Sequence, residues 1–340
     1  MTGSLKLVIG ASGFLGSHVT RRLVAQGHRV RVMLRRTSST RGIDDLDVER
    51  RHGDLHDDAA LRSAMAGCDV VFHCALDARF WLRDPAPLFR TNVDGLRHVL
   101  EAAVAADLDR FVYTSSVGTL AARSDGVPVT EAEPHNWDGG AYIASRLGGE
   151  KLLFEYSRER GLPGIAMCIS TTYGPGDWGP TPHGRLIGEV ARGRFPGYFD
   201  WSLEAVGIEE AARAMVLAAE HGRVGERYAI SDRFISCREI HEIVCAAAGR
   251  PRPWLRLPRS LMVATTQAND VAAALLRRDL PMTRLSQHIT DTMSPLDHSK
   301  AERELGWTPE PIEESLVRAA HFFTEKRLVA MARPTAQKAR

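Results

Sequence analysis

The chain is short of lysine, of paired cysteines and of long apolar runs, and each shortage removes a class of protein. Its 340 residues carry 44 basic and 42 acidic side chains, a formal net charge of +2. So even a balance gives no reason to expect a nucleic-acid partner. Nearly all the cations are arginine; lysine occurs only at Lys6, Lys151, Lys300, Lys326 and Lys338. The cysteines (Cys68, Cys74, Cys168, Cys237 and Cys245) show no C-x-x-C and no metal-type spacing. They argue against a metal site and read as reduced thiols of a cytoplasmic protein. The first residues show no apolar region of the signal-peptide kind, and no internal repeat is evident. The most apolar later stretch, Leu261 to Leu276, is broken by Gln267, Asn269 and Asp270. It reads as an amphipathic helix and not as a membrane span.

What is present begins at Val8 to Gly16, V-I-G-A-S-G-F-L-G. Gly10, Gly13 and Gly16 follow an apolar run from Leu5 to Ile9, and a helical pattern of Leu15, Val19, Leu23 and Val24 comes after. A strand, a glycine turn and a helix N-terminus make an anion site, because glycine lets the backbone approach a pyrophosphate and the free N–H groups stabilise its charge. Ser12, Phe14 and Leu15 complete that loop. Strand and helix patterns then alternate: Arg29–Leu34, Val48–His52, a helix from about Asp57 to Ala66, Asp69–Ala75, a long helix from Pro85 to Ala106, and Arg110–Thr114. The alternation predicts an α/β fold, a Rossmann doubly wound parallel sheet with ligands at the carboxyl ends of its strands. Residues 1–170 are expected to form the dinucleotide-binding domain. Residues 171–330 should form a smaller, mostly helical substrate subdomain partly interwoven with it, and 331–340 a flexible basic tail.

The end of the second strand bears on the cofactor. An acidic residue there would grip an unphosphorylated ribose. This chain has Leu34-Arg35-Arg36-Thr37-Ser38. Two guanidiniums, Arg35 and Arg36, suit a 2′-phosphate, so NADP(H) is preferred and NAD(H) is the alternative. Asp54, after the third strand, is placed to meet the adenine amino group.

Arg110 to Thr119 delivers Ser115 and Ser116 to a strand end, and Tyr142 opens a helix running to about Arg160. The glycine loop, Gly53-Asp54-Leu55, the strand Phe72-His73-Cys74-Ala75, Asn92-Val93-Asp94-Gly95, Thr114-Ser115-Ser116 and Tyr142-x-x-x-Arg146 follow one another in a familiar order. Tyr173-Gly174-Pro175-Gly176-Asp177 and Leu305-Gly306-Trp307-x-Pro309 come later. In these motifs the chain resembles an extended short-chain dehydrogenase/reductase, most of all the dihydroflavonol-reductase and 3β-hydroxysteroid-dehydrogenase branch. The resemblance implies that Tyr142 is the acid/base, its high solution pKa lowered by nearby positive charge, and that Ser116 hydrogen-bonds the substrate oxygen. It also implies cofactor contacts from Leu55, Cys74, Ala75, Thr114, Ser170 and Thr172.

Two departures stand out. The family's lysine four residues after the tyrosine is here Arg146, which shares a helix face with Tyr142 but cannot release a proton. Lys151 lies about 180° around that helix and does not replace it. Relatives often carry a histidine where Gly207 stands, which predicts a roomier pocket corner. Phe80, Trp81, Trp137, Trp178 and Phe199 are candidate walls of an apolar pocket. The expected activity is hydride transfer between a nicotinamide and a small apolar ketone, aldehyde or secondary alcohol. The alternatives are a nucleotide-sugar epimerase or dehydratase, and a weakly active or non-catalytic NADP binder. A homodimer and a membrane-surface contact through the C-terminal helices both stay open.

Overall fold

The computed structural model describes residues 4–280 and 282–331, so the expected basic tail beyond Met331 lies outside the described residues. The strands are Leu5–Ile9 (β1), Arg29–Leu34 (β2), Glu49–His52 (β3), Val70–His73 (β4), Arg110–Ser116 (β5), Gly164–Ile169 (β6), Thr171–Tyr173 (β7), Gly197–Phe199 (β8), Ser202–Gly207 (β9), Arg227–Ile230 (β10), Arg233–Ser236 (β11) and Leu255–Leu257 (β12). The helices are Phe14–Ala25 (α1), Asp58–Met65 (α2), Ala86–Phe89 (α3), Leu96–Ala105 (α4), Gly140–Arg160 (α5), Pro182–Ala191 (α6), Ile208–His221 (α7), Cys237–Ala247 (α8), Arg259–Leu276 (α9), Arg284–Thr292 (α10), Ser299–Leu305 (α11) and Ile312–Met331 (α12).

Seven strands form one sheet in the order β3-β2-β1-β4-β5-β6-β10, every pair parallel. Parallel strands need both faces covered, and their apolar runs provide for this. Val8, Val32, Phe72 and Val112 face a layer with Val19 and Leu23 of α1, Met215 of α7 and the fully buried Trp307. Leu7, Val71 and Phe111 face Leu61 of α2, Leu96 and Leu100 of α4, and Leu152 and Leu153 of α5. The strand order reverses between β1 and β4, where Ile9 lies in register with His73. That switch point opens the crevice in which such sheets hold ligands.

The sequence pattern is corrected in one place. The helix expected from Pro85 to Ala106 is divided by a π-helical turn, Arg90–Gly95. Asn92 lies in that turn fully buried, its side chain accepting from the Asp77 N–H (2.8 Å) and donating to the Asp77 carbonyl (2.9 Å) and the Ser145 hydroxyl (3.0 Å). An inward-held polar side chain of this kind accompanies a widened turn. The later half is mainly helical but contains two small sheets, β11-β9-β7 and β12-β8. Its core gathers Ile187 and Val190 of α6, Leu203 of β9, Ile240 and Val244 of α8, and Leu316 and Phe323 of α12. Residues beyond 170 also return to the main sheet, as helix α7 and edge strand β10.

Candidate active site

The glycine loop closes by backbone fit. Gly10 has φ +88°, a conformation that favours glycine, and a Cβ there would come within 2.6 Å of the Ala75 nitrogen. A Cβ on Gly16 would lie 2.3 Å from the Gly10 carbonyl oxygen. The Gly13 N–H donates to that same oxygen at 3.0 Å, and Gly13 caps α1 without any side chain. No acid stands in the first turn. The helix end is left open to an anion, beside Cys74 and Ala75 at the end of β4. Arg35 and Arg36 are exposed at the end of β2, and the charge of Arg35 reaches Asp77 beyond β4. Asp54 is exposed after β3, with one carboxylate oxygen accepting from the His56 N–H at 3.1 Å; Leu55 packs against Gly95.

The other end of the crevice is built by β5, β6 and α5. Ser116 ends β5, and its Oγ accepts from the Gly118 N–H at 3.2 Å, which leaves its proton to donate. Ile143, next to Tyr142, is wedged between Gly118 and Gly139, where a Cβ would meet it at 2.4 and 2.1 Å. Two glycines thus let the start of α5 descend onto the turn after Ser116. Tyr142, Arg146 and Glu150 recur at four-residue spacing and share a face of α5. Arg146 is buried, donates from Nη2 to the Thr114 carbonyl at 3.0 Å, and sits 6.0 Å from the centre of the Tyr113 ring. Among the described residues its Nε and Nη1 have no partner, nor does the buried Ser170 hydroxyl at the end of β6. Thr114 lies beside Cys74, and Thr172 follows in β7. Lys151 projects into solvent near Glu155 and cannot stand in for the missing lysine.

Around Arg146 lies a buried aromatic stack. The His73 ring is 5.9 Å from Tyr113 and 6.2 Å from Phe111, nearly parallel to both. Both His73 nitrogens and the Tyr113 hydroxyl lack partners among the described residues. Burial, with the Arg146 charge added, holds the His73 pKa down to about 3. Burial pushes Tyr113 up to about 12.

Of the candidate pocket residues, Phe80 lies 6.0 Å from the Tyr142 ring and 4.9 Å from Trp81. Trp137 stands near the start of α5, its Nε1 donating to the Leu120 carbonyl at 3.0 Å. Trp178 and Phe199 do not join them. The Tyr173-to-Asp177 turn folds back on α1, helped by Gly176 at φ +85°, with His18 Nε2 bonded to the Pro175 carbonyl at 3.0 Å. This carries Trp178 to Gly42 and Phe322. Phe199 belongs to the β12-β8 ribbon and faces Phe195 at 6.3 Å. The corner expected at Gly207 is filled, since a Cβ there would meet Ser315 Oγ of α12 at 2.3 Å.

Two acids were missed by the sequence reading. The Glu150 carboxylate accepts from Ser115 and, at 2.6 Å, from Thr119, and pairs with Arg227 of β10 at 3.5 Å. Its spacing from Tyr142 and Arg146 was the available signal. Glu204 lines a small cavity with Val117, Gly118, Trp137 and Met293, just past Ser116. Burial pushes its pKa up to about 7, against the pull of the Ser231 hydroxyl and Leu296 N–H that it accepts. An acid inside the apolar strand Leu203–Val206 was its only trace. A larger pocket of about 560 Å³ lies elsewhere, between β10 and α11; its Arg223, Arg227 and Lys300 are paired with Glu304, Glu150 and Glu226. Among the described residues no cluster of histidine, cysteine or acids could hold a metal, and no helix is long and apolar enough to cross a membrane.

A model of the NAD dependent epimerase/dehydratase family matches residues 6–231. A Synechocystis protein provisionally named a dihydroflavonol 4-reductase is 31% identical over 93% of this chain and 93% of its own length. A 2-alkyl-3-oxoalkanoate reductase of Shewanella oneidensis is 29% identical over 92% of this chain and 84% of that protein. The crystal structure of gox2253, 33% identical, superimposes with a TM-score of 0.83 over 95% of this chain and 98% of the other. With a family match across most of its length, and relatives aligned over more than nine-tenths of it, the chain belongs to the extended short-chain dehydrogenases/reductases of the NAD dependent epimerase/dehydratase family.

Proposed function

We propose that the protein is an NADP-dependent reductase or dehydrogenase acting on a small apolar ketone, aldehyde or secondary alcohol. The observation that carries this reading is the convergence of β5 and α5. Ser116 ends one, Tyr142 opens the other, and Phe80 sets an aromatic wall against the tyrosine. The residues present fit a dinucleotide. The side-chain-free cradle of Gly10 and Gly16 would take the pyrophosphate, and the exposed Arg35 and Arg36 the 2′-phosphate. The buried, unpartnered nitrogens of Arg146 and the Ser170 hydroxyl offer donors to the nicotinamide end. A bound nicotinamide supplies the hydride in reduction and accepts it in oxidation.

The protein's own part is proton handling and charge stabilisation. The Tyr142 hydroxyl gives its proton to the carbonyl oxygen in reduction and takes one from the alcohol in the reverse direction. Ser116, whose oxygen already accepts from Gly118, donates its proton in a hydrogen bond to the same substrate oxygen. Arg146 adds a fixed positive charge on the tyrosine's face of α5. It cannot pass a proton on, so Tyr142 must recover its proton by another route.

The family description keeps a sugar-nucleotide reading in view. Against it, Arg192 and Arg194 are paired with Glu189, and Arg185 donates to the Pro180 carbonyl; they form no free diphosphate clamp. The test is NADPH oxidation across a panel of apolar ketones and aldehydes. Tyr142→Phe should lower the turnover number by roughly 10² to 10⁴ and leave the dissociation constant of NADPH within about twofold. Conversion of a sugar nucleotide without net NADPH loss would overturn the reading, as would NADPH binding without turnover of any carbonyl.

A further inference from the structure

Helix α9 turns two unlike faces to its surroundings. Met262, Thr266 and Ala273 are buried, and Thr266 donates to Gln287 Oε1 of α10 at 3.0 Å. The opposite face carries Leu261, Ala264, Ala268, Val271 and Leu275, all exposed. Their spacing alternates three and four residues, so they fall in one stripe along the helix. Val271 is 57% and Leu275 79% exposed, Leu276 adds to the stripe's end, and Trp254 stands 75% exposed just before the helix. No charged residue interrupts the stripe.

The charge at the two ends of the helix is mainly basic. Arg252, Arg256 and Arg259 flank the start of α9, and Arg277 and Arg278 follow its end, all exposed. Arg256 and Arg259 are paired with Asp200 and Asp291, whereas Arg252, Arg277 and Arg278 have no ion pair among the described residues. Asp270 is turned toward Arg284, and Asp279 accepts from the Arg83 N–H at 3.0 Å. Pairing two copies of α9 along the stripe would bring arginines against arginines in either orientation. An apolar stripe with an exposed tryptophan and cationic ends complements a different surface, one apolar inside and anionic at its rim.

We propose that α9 seats the protein on an anionic lipid bilayer, its stripe at the headgroup–acyl boundary and its arginines on the phosphates. The 18-residue helix would lie along the surface for roughly 27 Å. The loop after it and α10 rest on the substrate side: Asp279 holds Arg83, His288 Nε2 bonds to the Asp138 carbonyl at 2.8 Å, and Leu285 packs on Gly140 at the start of α5. The C-terminal end of α9 therefore lies close to the segment that carries Phe80 and, through α10, to the start of α5. A role of the membrane face in admitting an apolar substrate rests on the reductase reading, but the seating itself does not.

The experiment sediments the full-length protein with vesicles of phosphatidylcholine alone and of phosphatidylcholine mixed with phosphatidylglycerol. The protein should pellet with the mixed vesicles only, and less at high salt. Val271→Glu and Leu275→Glu should each lower the partition coefficient at least about tenfold, with melting temperature and NADPH binding unchanged. Failure to pellet, or variants that pellet as well as the parent, would overturn the proposal. So would a parent dimer that Leu275→Glu converts to monomer without any vesicle binding, which would make the stripe a helix–helix seam. None of these readouts requires turnover, so they stand even if no carbonyl is reduced.

Discussion

At the glycine-loop end of the crevice, Gly10 fits against Ala75 and Gly16 against the Gly10 carbonyl, and no side chain intervenes. At the other end Arg146, His73 and Tyr113 pack together, and they and Ser170 bury polar atoms that find no partner among the described residues. The first end works by what is absent and is broken by adding atoms. The second works by what is present and is altered by exchanging groups. Buried polar atoms without partners are costly, and they concentrate where a ligand can complete them.

Gly16→Ala should give the largest effect at the first end. Its methyl would collide with the Gly10 carbonyl, so NADPH affinity, read by fluorescence titration, should fall more than about a hundredfold. A loss under threefold would mean that the loop yields and the contrast is false.

Buried titratable groups at both ends and beyond the crevice set the pH dependence of stability. Burial holds His18 at about 4, His73 at about 3 and His183 at about 4, all below the usual 6.5. The unfolded chain binds more protons at these sites, so stability should fall as pH drops below about 6.5. Glu204 acts in the opposite sense. The folded protein keeps its proton up to about 7 where the unfolded chain releases it near 4.5, so this site lowers stability as pH rises between those values. Glu204→Gln should remove that decline, a gain of up to about 3 kcal/mol at pH 8. Denaturant melts of parent and variant at pH 5 and pH 8 check it; equal curves at both would show that Glu204 ionises normally.

Arg35→Ala should weaken NADPH about tenfold and leave NADH within about twofold; equal loss for both would remove the 2′-phosphate argument. Arg146→Lys should have the smallest effect. Loss of the bond to the Thr114 carbonyl should cost about 1 kcal/mol of stability, seen as a lower melting temperature, with NADPH affinity kept within about tenfold. A hundredfold loss of affinity would show that the planar fork itself grips the cofactor.

Most of the main sheet was legible in the sequence because its signals are local: an apolar run, a glycine turn and a helical period each declare themselves within a few residues. The placing of Ser116 at a strand end and Tyr142 at a helix start was readable for the same reason. What could not be read depended on contacts between distant segments. Trp178 was misplaced because the turn before it bends back onto α1, and the Gly207 corner because Ser315 arrives from the last helix. The π turn at Asn92 follows from a bond to Asp77 that no period reveals. The unusual state of Glu204 comes wholly from what covers it.

The pairing of Glu150 with Arg227 bears on where this protein could be divided. A fragment ending after β6 would keep the glycine loop, Ser116 and the whole of α5. It would also leave Glu150 as a buried carboxylate stripped of its cation, and β6 as a raw sheet edge. Breaking a buried pair from one side costs about 3–5 kcal/mol, a large share of what holds a domain of that size together. A piece of this chain that extends through β10 is therefore expected to be more stable than one cut at residue 170, which would sever a foundation rather than a linker.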